Sequence, residues 1–183
     1  MSSTPDLDDR AGLTRPRDIE KTAAMPVGPF RHLVTVGWGD CDPARIAYTA
    51  TIPAWGLSAI EAWFKRCMGV GFYELNLDHG VGTPFVRLDV DIQAPVTPRS
   101  QLECLVYVSQ IGRSSLAMFV EGRQNGSLCF NGRFVCSFID AARRQPIAIL
   151  ANMRASICRF ADAQDRQWKD LPNGDNAKER THE

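Results

Sequence analysis

The sequence predicts an α+β domain in which one antiparallel sheet carries a long helix on one face. Three observations predict it. The hydrophobic period changes from 2 to 3.6 and back to 2 along the chain, in the order strand, helix, four strands. Short turns join those four strands, leaving no room for the crossovers that a parallel sheet requires. The chain has 183 residues, 44% of them hydrophobic, without internal repeat, low-complexity tract or Gly/Ser linker, which suits one core rather than two.

Residues 31–38 (RHLVTVGW) alternate and read as the first strand. Ile52, Trp55, Ala59, Ile60, Trp63, Phe64 and Cys67 then recur at helical spacing, a wide apolar stripe on a helix of about four turns. Thr51 is placed to cap it, Pro53 fits its first turn, and Gly69 and Gly71 supply the stop. With Ile60, Trp63 and Phe64 on one stripe, this helix must be embedded against a large apolar surface. That surface follows in the sequence. Val86, Leu88, Val90 and Ile92 alternate with Arg87, Asp89, Asp91 and Gln93 until Pro95 and Pro98 break the run. Leu102, Cys104, Val106 and Val108 form the next strand, and a Gly112-Arg113 turn leads to Leu116, Met118 and Val120. Asn125-Gly126, a strong hairpin signal, precedes Leu128, Phe130, Phe134, Cys136 and Phe138. Met153, Ile157, Phe160 and Ala161 keep helical spacing over about 151–164, a second helix. The reading is one domain over 29–168, with a polar N-terminal extension over 1–28 and a polar tail over 169–183.

Composition excludes several classes. There are 21 Lys+Arg against 21 Asp+Glu, so no long-range field favours nucleic acid or an anionic membrane as main partner. The flanks hold 4 basic and 5 acidic residues over 1–28 and 3 and 4 over 169–183, leaving 14 basic and 12 acidic for the core. No apolar run is long enough to span a bilayer. The polar, acidic start MSSTPDLDDRAG has no apolar signal region, so the expected compartment is cytoplasmic. Six cysteines without any C-x-x-C, mostly in apolar stretches, read as buried thiols rather than disulfides or a zinc site. Only His32, His79 and His182 are present, too few for a multi-histidine metal site, and no metal is expected.

The P-loop, dinucleotide-fold, zincin and G-x-S-x-G signatures are all absent. What stands out is Gly39-Asp40-Cys41-Asp42-Pro43-Ala44-Arg45-Ile46, between the first strand and the helix. Three readings are open on the residues alone. The aspartates can be solvated turn residues bonded to the backbone. They can bind a hard cation, although no nearby acidic cluster completes the oxygen ligands such an ion wants. Or a carboxylate beside the free N–H groups of a helix N-terminus can run acyl transfer, with those N–H groups holding the developing oxyanion.

The stretch GDCDPA after one strand and before one long amphipathic helix, followed by His79-Gly80-Val81-Gly82-Thr83-Pro84 and four strands, resembles the 4-hydroxybenzoyl-CoA thioesterase branch of the hotdog-fold acyl-CoA thioesterases. The resemblance covers about residues 31–145. It implies a hotdog fold, a sheet wrapped around one central helix, with subunits paired edge to edge and active sites at their interface. It implies a homodimer at least, and a homotetramer where dimers pair further. The implied activity is hydrolysis of an aromatic or medium-sized acyl-CoA. CoA then enters as part of the substrate, and no cofactor is needed.

Carried over by residue, Asp42 would be the catalytic carboxylate, as nucleophile or as general base, and the backbone N–H of Thr49 would polarise the carbonyl. Asp40 and Pro43 would shape the turn. Arg113, Gly82, Thr83 and Arg45 would contact substrate or CoA, with an exposed turn arginine the plain alternative for Arg113. The sequence departs from the branch at Arg45, where Gly is usual, and over Thr49-Ala50-Thr51-Ile52-Pro53, where an aromatic or histidine-containing stretch is usual. Such a divergent site also fits a non-catalytic hotdog protein that binds acyl-CoA or serves in assembly.

Overall fold

A computed structural model describes residues 28–168; the readings made for 1–27 and 169–183 lie outside the described residues. Strand β1 is Phe30–Val34. It ends before the expected 38 because the Gly37 N–H donates to Asp40 Oδ2 at 2.7 Å and winds Trp38–Asp40 into one 3₁₀ turn. Helix α1 is Thr51–Met68. Thr51 is its first helical residue rather than its cap, and no side chain caps this end. Gly69, with φ 75, closes the other end in the left-handed conformation, its N–H donating to Lys65 O at 3.0 Å.

Helix α2, Phe72–Leu77, was not expected from periodicity, since six residues give no period to read. Strands β2 (Val81–Gly82) and β7 (Ile139–Asp140) pair with each other and are too short to show alternation. The long strands are β3 (Phe85–Ile92), β4 (Leu102–Ile111), β5 (Ser115–Gln124) and β6 (Ser127–Ser137). Asn125 and Gly126, φ 50 and 80, make the tight two-residue turn between β5 and β6. The expected second helix is α3, Ala151–Trp168.

The five-stranded sheet is antiparallel throughout, in the order β1-β4-β5-β6-β3. The predicted α1 stripe, Ile52 to Cys67, is buried as a whole. It meets Cys104, Val106, Met118, Val120, Phe130, Phe134 and Cys136 from the facing side of the strands. Gly56 sets how close the helix comes: a Cβ there would lie 2.4 Å from Phe134 Cζ. Helix α3 packs beside α1, with Phe160 edge-on to Trp63 at 5.3 Å between ring centroids. Its Gln164 accepts the Val108 N–H at 2.8 Å and donates to the Val108 carbonyl. Strand β1 pairs with β4 only as far as Val106, so this amide finishes the ladder where β4 runs on alone.

Among the described residues Cys67, Cys104, Cys129 and Cys136 are buried, as expected for structural thiols, while Cys41 and Cys158 are half-buried; all six are free. Burial pushes the Cys67, Cys104 and Cys136 thiols up to about 12. No described helix is long and apolar enough to cross a membrane.

Replacing Gly56 by Ala forces Phe134 or the helix to shift, and an overpacked core residue costs roughly 1–3 kcal/mol. The Gly56→Ala protein is expected to show that loss by denaturant unfolding; unchanged stability would mean that the helix does not rest on the ring.

Candidate active site

The chain leaving β1 wraps over one end of the sheet before entering α1. Cys41 and Ala47 form an antiparallel bridge. Inside it, the Asp42 N–H donates to Ile46 O and the Arg45 N–H to Asp42 O, both at 2.9 Å. The result is a miniature hairpin. Pro43 occupies the second position of the turn, where its fixed φ is suited. Asp42 Oδ1 accepts the Ala44 N–H at 2.8 Å, so the carboxylate is held by its own loop. Arg45 then has to adopt φ 65, the bulge position that glycine ordinarily fills. A side chain with Cβ pays roughly 1–2 kcal/mol there.

Two further bonds fix this hairpin to the body of the domain. The Ala47 N–H donates to Val96 O and the Tyr48 N–H to Asp40 O, both at 2.8 Å. Asp40 therefore holds both Gly37 and Tyr48. The fold-back returns Thr49 to the hairpin at the start of α1. Neither the Thr49 nor the Ala50 N–H donates to another described group, and a helix start carries partial positive charge. Asp42 is half-buried, and neither it nor Asp40 forms an ion pair among the described residues. Trp38, 80% exposed, and the exposed Tyr48 flank the loop, and neither was singled out from the sequence.

Asp40, Asp42, Pro43, Arg45 and Thr49 thus share one loop, but the other candidates do not join them. Val34 pairs with Leu102, which places the Asp42 loop at the beginning of β4. Arg113 lies in the turn after β4, at the far end of a ten-residue strand, about 30 Å away along the sheet. That turn is held from α3, by Arg154 donating to the Gly112 and Arg113 carbonyls. Gly82 and Thr83 sit just before β3, at the same far end. Gly82 is buried against Ile139, so only its backbone is available to a ligand. No sequence signal gives this separation, because it depends on which end of each strand faces which loop. No group of three or more His, Cys, Asp or Glu that could hold a metal gathers among the described residues.

The sequence profile of the Thioesterase-like superfamily matches residues 36–157, from just before the Asp42 loop into α3. The chain belongs to the Thioesterase-like superfamily. Its α+β architecture, one antiparallel five-stranded sheet packed on a central helix, is the hotdog fold. It is similar to a thioesterase superfamily protein from Jannaschia sp. CCS1, with 42% identity and a TM-score of 0.70, covering 76% of this chain and 97% of that one. A 1,4-dihydroxy-2-naphthoyl-CoA thioesterase from Synechocystis shares the fold at 18% identity and a TM-score of 0.66, over 72% and 96% of the two chains. So does a Staphylococcus aureus protein solved in complex with CoA, at 14% identity and a TM-score of 0.70, over 78% and 90%. No curated protein sequence matches the chain.

Within this superfamily member, Asp40 is expected to act on the loop's shape. Asp40→Ala removes the acceptor of the Gly37 N–H, and a hydrogen bond to a charged group is worth roughly 1.5–3 kcal/mol at most sites. A loss of about that size is expected in chemical denaturation; no loss would remove Asp40 from the loop's support.

Proposed function

We propose that the protein hydrolyses an acyl-CoA thioester to a free acid and CoA. One observation carries this reading: the loop that holds the Asp42 carboxylate ends at unclaimed N–H groups at the start of α1, on a thioesterase-superfamily fold. Water oxygen is added to the thioester carbonyl carbon, the C–S bond breaks, and the proton given up by water ends on the CoA sulfur. Asp42 either takes that proton first, as general base, or attacks the carbonyl itself and forms an anhydride that water then opens. In both routes negative charge develops on the carbonyl oxygen, and the Thr49 N–H is the donor proposed for it. The resemblance of the sequence to the 4-hydroxybenzoyl-CoA thioesterase branch supports an aromatic or medium-sized acyl group.

The CoA-binding candidates Arg113, Gly82 and Thr83 lie at the opposite end of the sheet from Asp42, so one chain does not bring all of these candidates together. Strand β3 supports a homodimer that can. It is an edge strand, yet Val86, Leu88 and Ile92 are 64%, 44% and 47% exposed, an edge that would otherwise be sticky. Antiparallel pairing of two β3 strands about Leu88 sets Arg87 opposite the partner's Asp89 and Val86 opposite the partner's Val90. This pairing brings the partner's far end, with its Gly82, Thr83 and Arg113, toward Asp42.

Asp42→Asn keeps an acceptor for the Ala44 N–H and so keeps the turn. It is expected to lower thiol release from acyl-CoAs by about 10²-fold or more, with melting temperature little changed; wild-type rates would exclude Asp42 from the chemistry. Saturable acyl-CoA binding without turnover of any thioester would favour the non-catalytic alternative. Leu88→Arg puts two cations together on the proposed two-fold, and sedimentation is expected to show monomers with thiol release largely lost. A Leu88→Arg dimer of full activity would rule out this interface.

A further inference from the structure

We propose that Arg45 recognises a second anionic group on the acyl moiety, which makes the substrate a thioester of an acid bearing its own carboxylate. This rests on the hydrolase reading above and narrows its substrate class. The starting observation is an outlier: Arg45 holds φ 65 at a bulge position where glycine would sit without strain. Its side chain is exposed and makes no ion pair or hydrogen bond among the described residues. The backbone bonds of the hairpin hold that conformation, and no side-chain contact among the described residues gives the arginine itself a reason to be there.

A second turn serves as an internal comparison. Asp140 also heads a loop closed by a left-handed arginine, Arg144, with φ 55. There the carboxylate accepts the Arg143 N–H at 2.7 Å and the Ala142 N–H at 3.0 Å, and the Arg143 guanidinium stands 3.4 Å from its other oxygen. Those contacts, the Arg143 N–H first, hold the Asp140 carboxyl below its ordinary value. The Asp140 loop thus neutralises its own acid. The Asp42 loop does not, and leaves a carboxylate and a cation on one turn, each open to a ligand.

Position selects which ligand anion Arg45 can meet. It closes the turn that Asp42 opens, the two Cα atoms being within about 7 Å as in any such turn. A thioester carbonyl at Asp42 extends its acyl group one way and its pantetheine arm the other. The CoA phosphates lie beyond two amide units of that arm, out of range of a side chain on the same turn as the reacting carbonyl. Arg113, Arg143 and Arg144 stand instead on the loops at the other end of the sheet. A carboxylate on the acyl group lies within reach, and a guanidinium can grip it through two parallel hydrogen bonds. Exposed Trp38 and Tyr48, tied to this loop through Cys41 and Asp40, offer apolar surface for the rest of the acyl group.

The test compares 4-carboxybenzoyl-CoA with benzoyl-CoA, using the kcat/KM ratio in wild-type protein, Arg45→Gly and Arg45→Lys. Gly relieves the backbone, so a failure to fold is not the concern. The expected result is a wild-type preference for the carboxylated thioester that falls tenfold or more in Arg45→Gly, as for loss of a charged hydrogen bond, and is partly kept in Arg45→Lys. An unchanged ratio overturns the proposal. So does an equal fall for both thioesters with weaker inhibition by free CoA, which would assign the cation to CoA. Calorimetric binding of the same pair to Asp42→Asn and to Asp42→Asn/Arg45→Gly reads the preference without turnover. A preference that disappears with Arg45 supports the inference even if no thioester is hydrolysed, and its absence in Asp42→Asn overturns it.

Discussion

The depth at which α1 presses into the sheet governs the rest of the molecule. Phe134 occupies the space that a side chain at position 56 would need, and on the strands Phe130 lies where a Cβ at Gly122 would be only 2.0 Å from its ring. Glycines thus hollow both surfaces, and two phenylalanine rings fill the hollow at core density. A helix seated this low buries Ile52 and Trp55 in its first turns, so the chain preceding it has no room to enter along the sheet. It must come over the end. The Asp42 hairpin, hung from Val96 and Asp40, is the shape that this detour takes.

Most of that scaffold is legible in the sequence, because burial imposes periods. The α1 stripe and the alternation of β4 through β6 each face one continuous apolar layer, and both patterns survive into the structure. What is illegible was set by other physics. Asp40 captures the Gly37 N–H and ends β1 early, a local competition that alternation over 31–38 cannot register. Helix α2 and the pair β2 and β7 are shorter than any period. The alternation of Val86 to Ile92 reads as part of the apolar surface that embeds the helix, but only Val90 packs against the core and Val86, Leu88 and Ile92 stay exposed, since sheet order puts β3 at the edge.

The candidate site divides in the same way. Its loop is legible as a turn because two aspartates, a glycine and a proline are dense turn chemistry, and the role proposed for Asp42 comes from the resemblance. The separation of Arg113, Gly82 and Thr83 from Asp42 is not legible, because motif order along a chain says nothing of which strand ends meet. An antiparallel sheet alternates its loops between two ends. Residues carried on loops of opposite parity stay about a strand length apart in a monomer, whatever their chemistry, and the homodimer proposed above would bring them together through a two-fold axis beside the sheet.

The two aspartate turns show why composition could not rank the candidates. Each begins with Asp, accepts backbone N–H groups on its side chain and closes on an arginine with positive φ. In the Asp140 turn an adjacent arginine contacts the acid, and the loop's charges are satisfied internally. In the Asp42 turn the only arginine is the strained one, and it leaves the carboxylate alone. Formal charge is the same in kind, but one loop holds a closed pair and the other two separate poles. A neutral chain can therefore still present a strongly polar site, provided that its opposite charges are kept on one short turn and prevented from meeting.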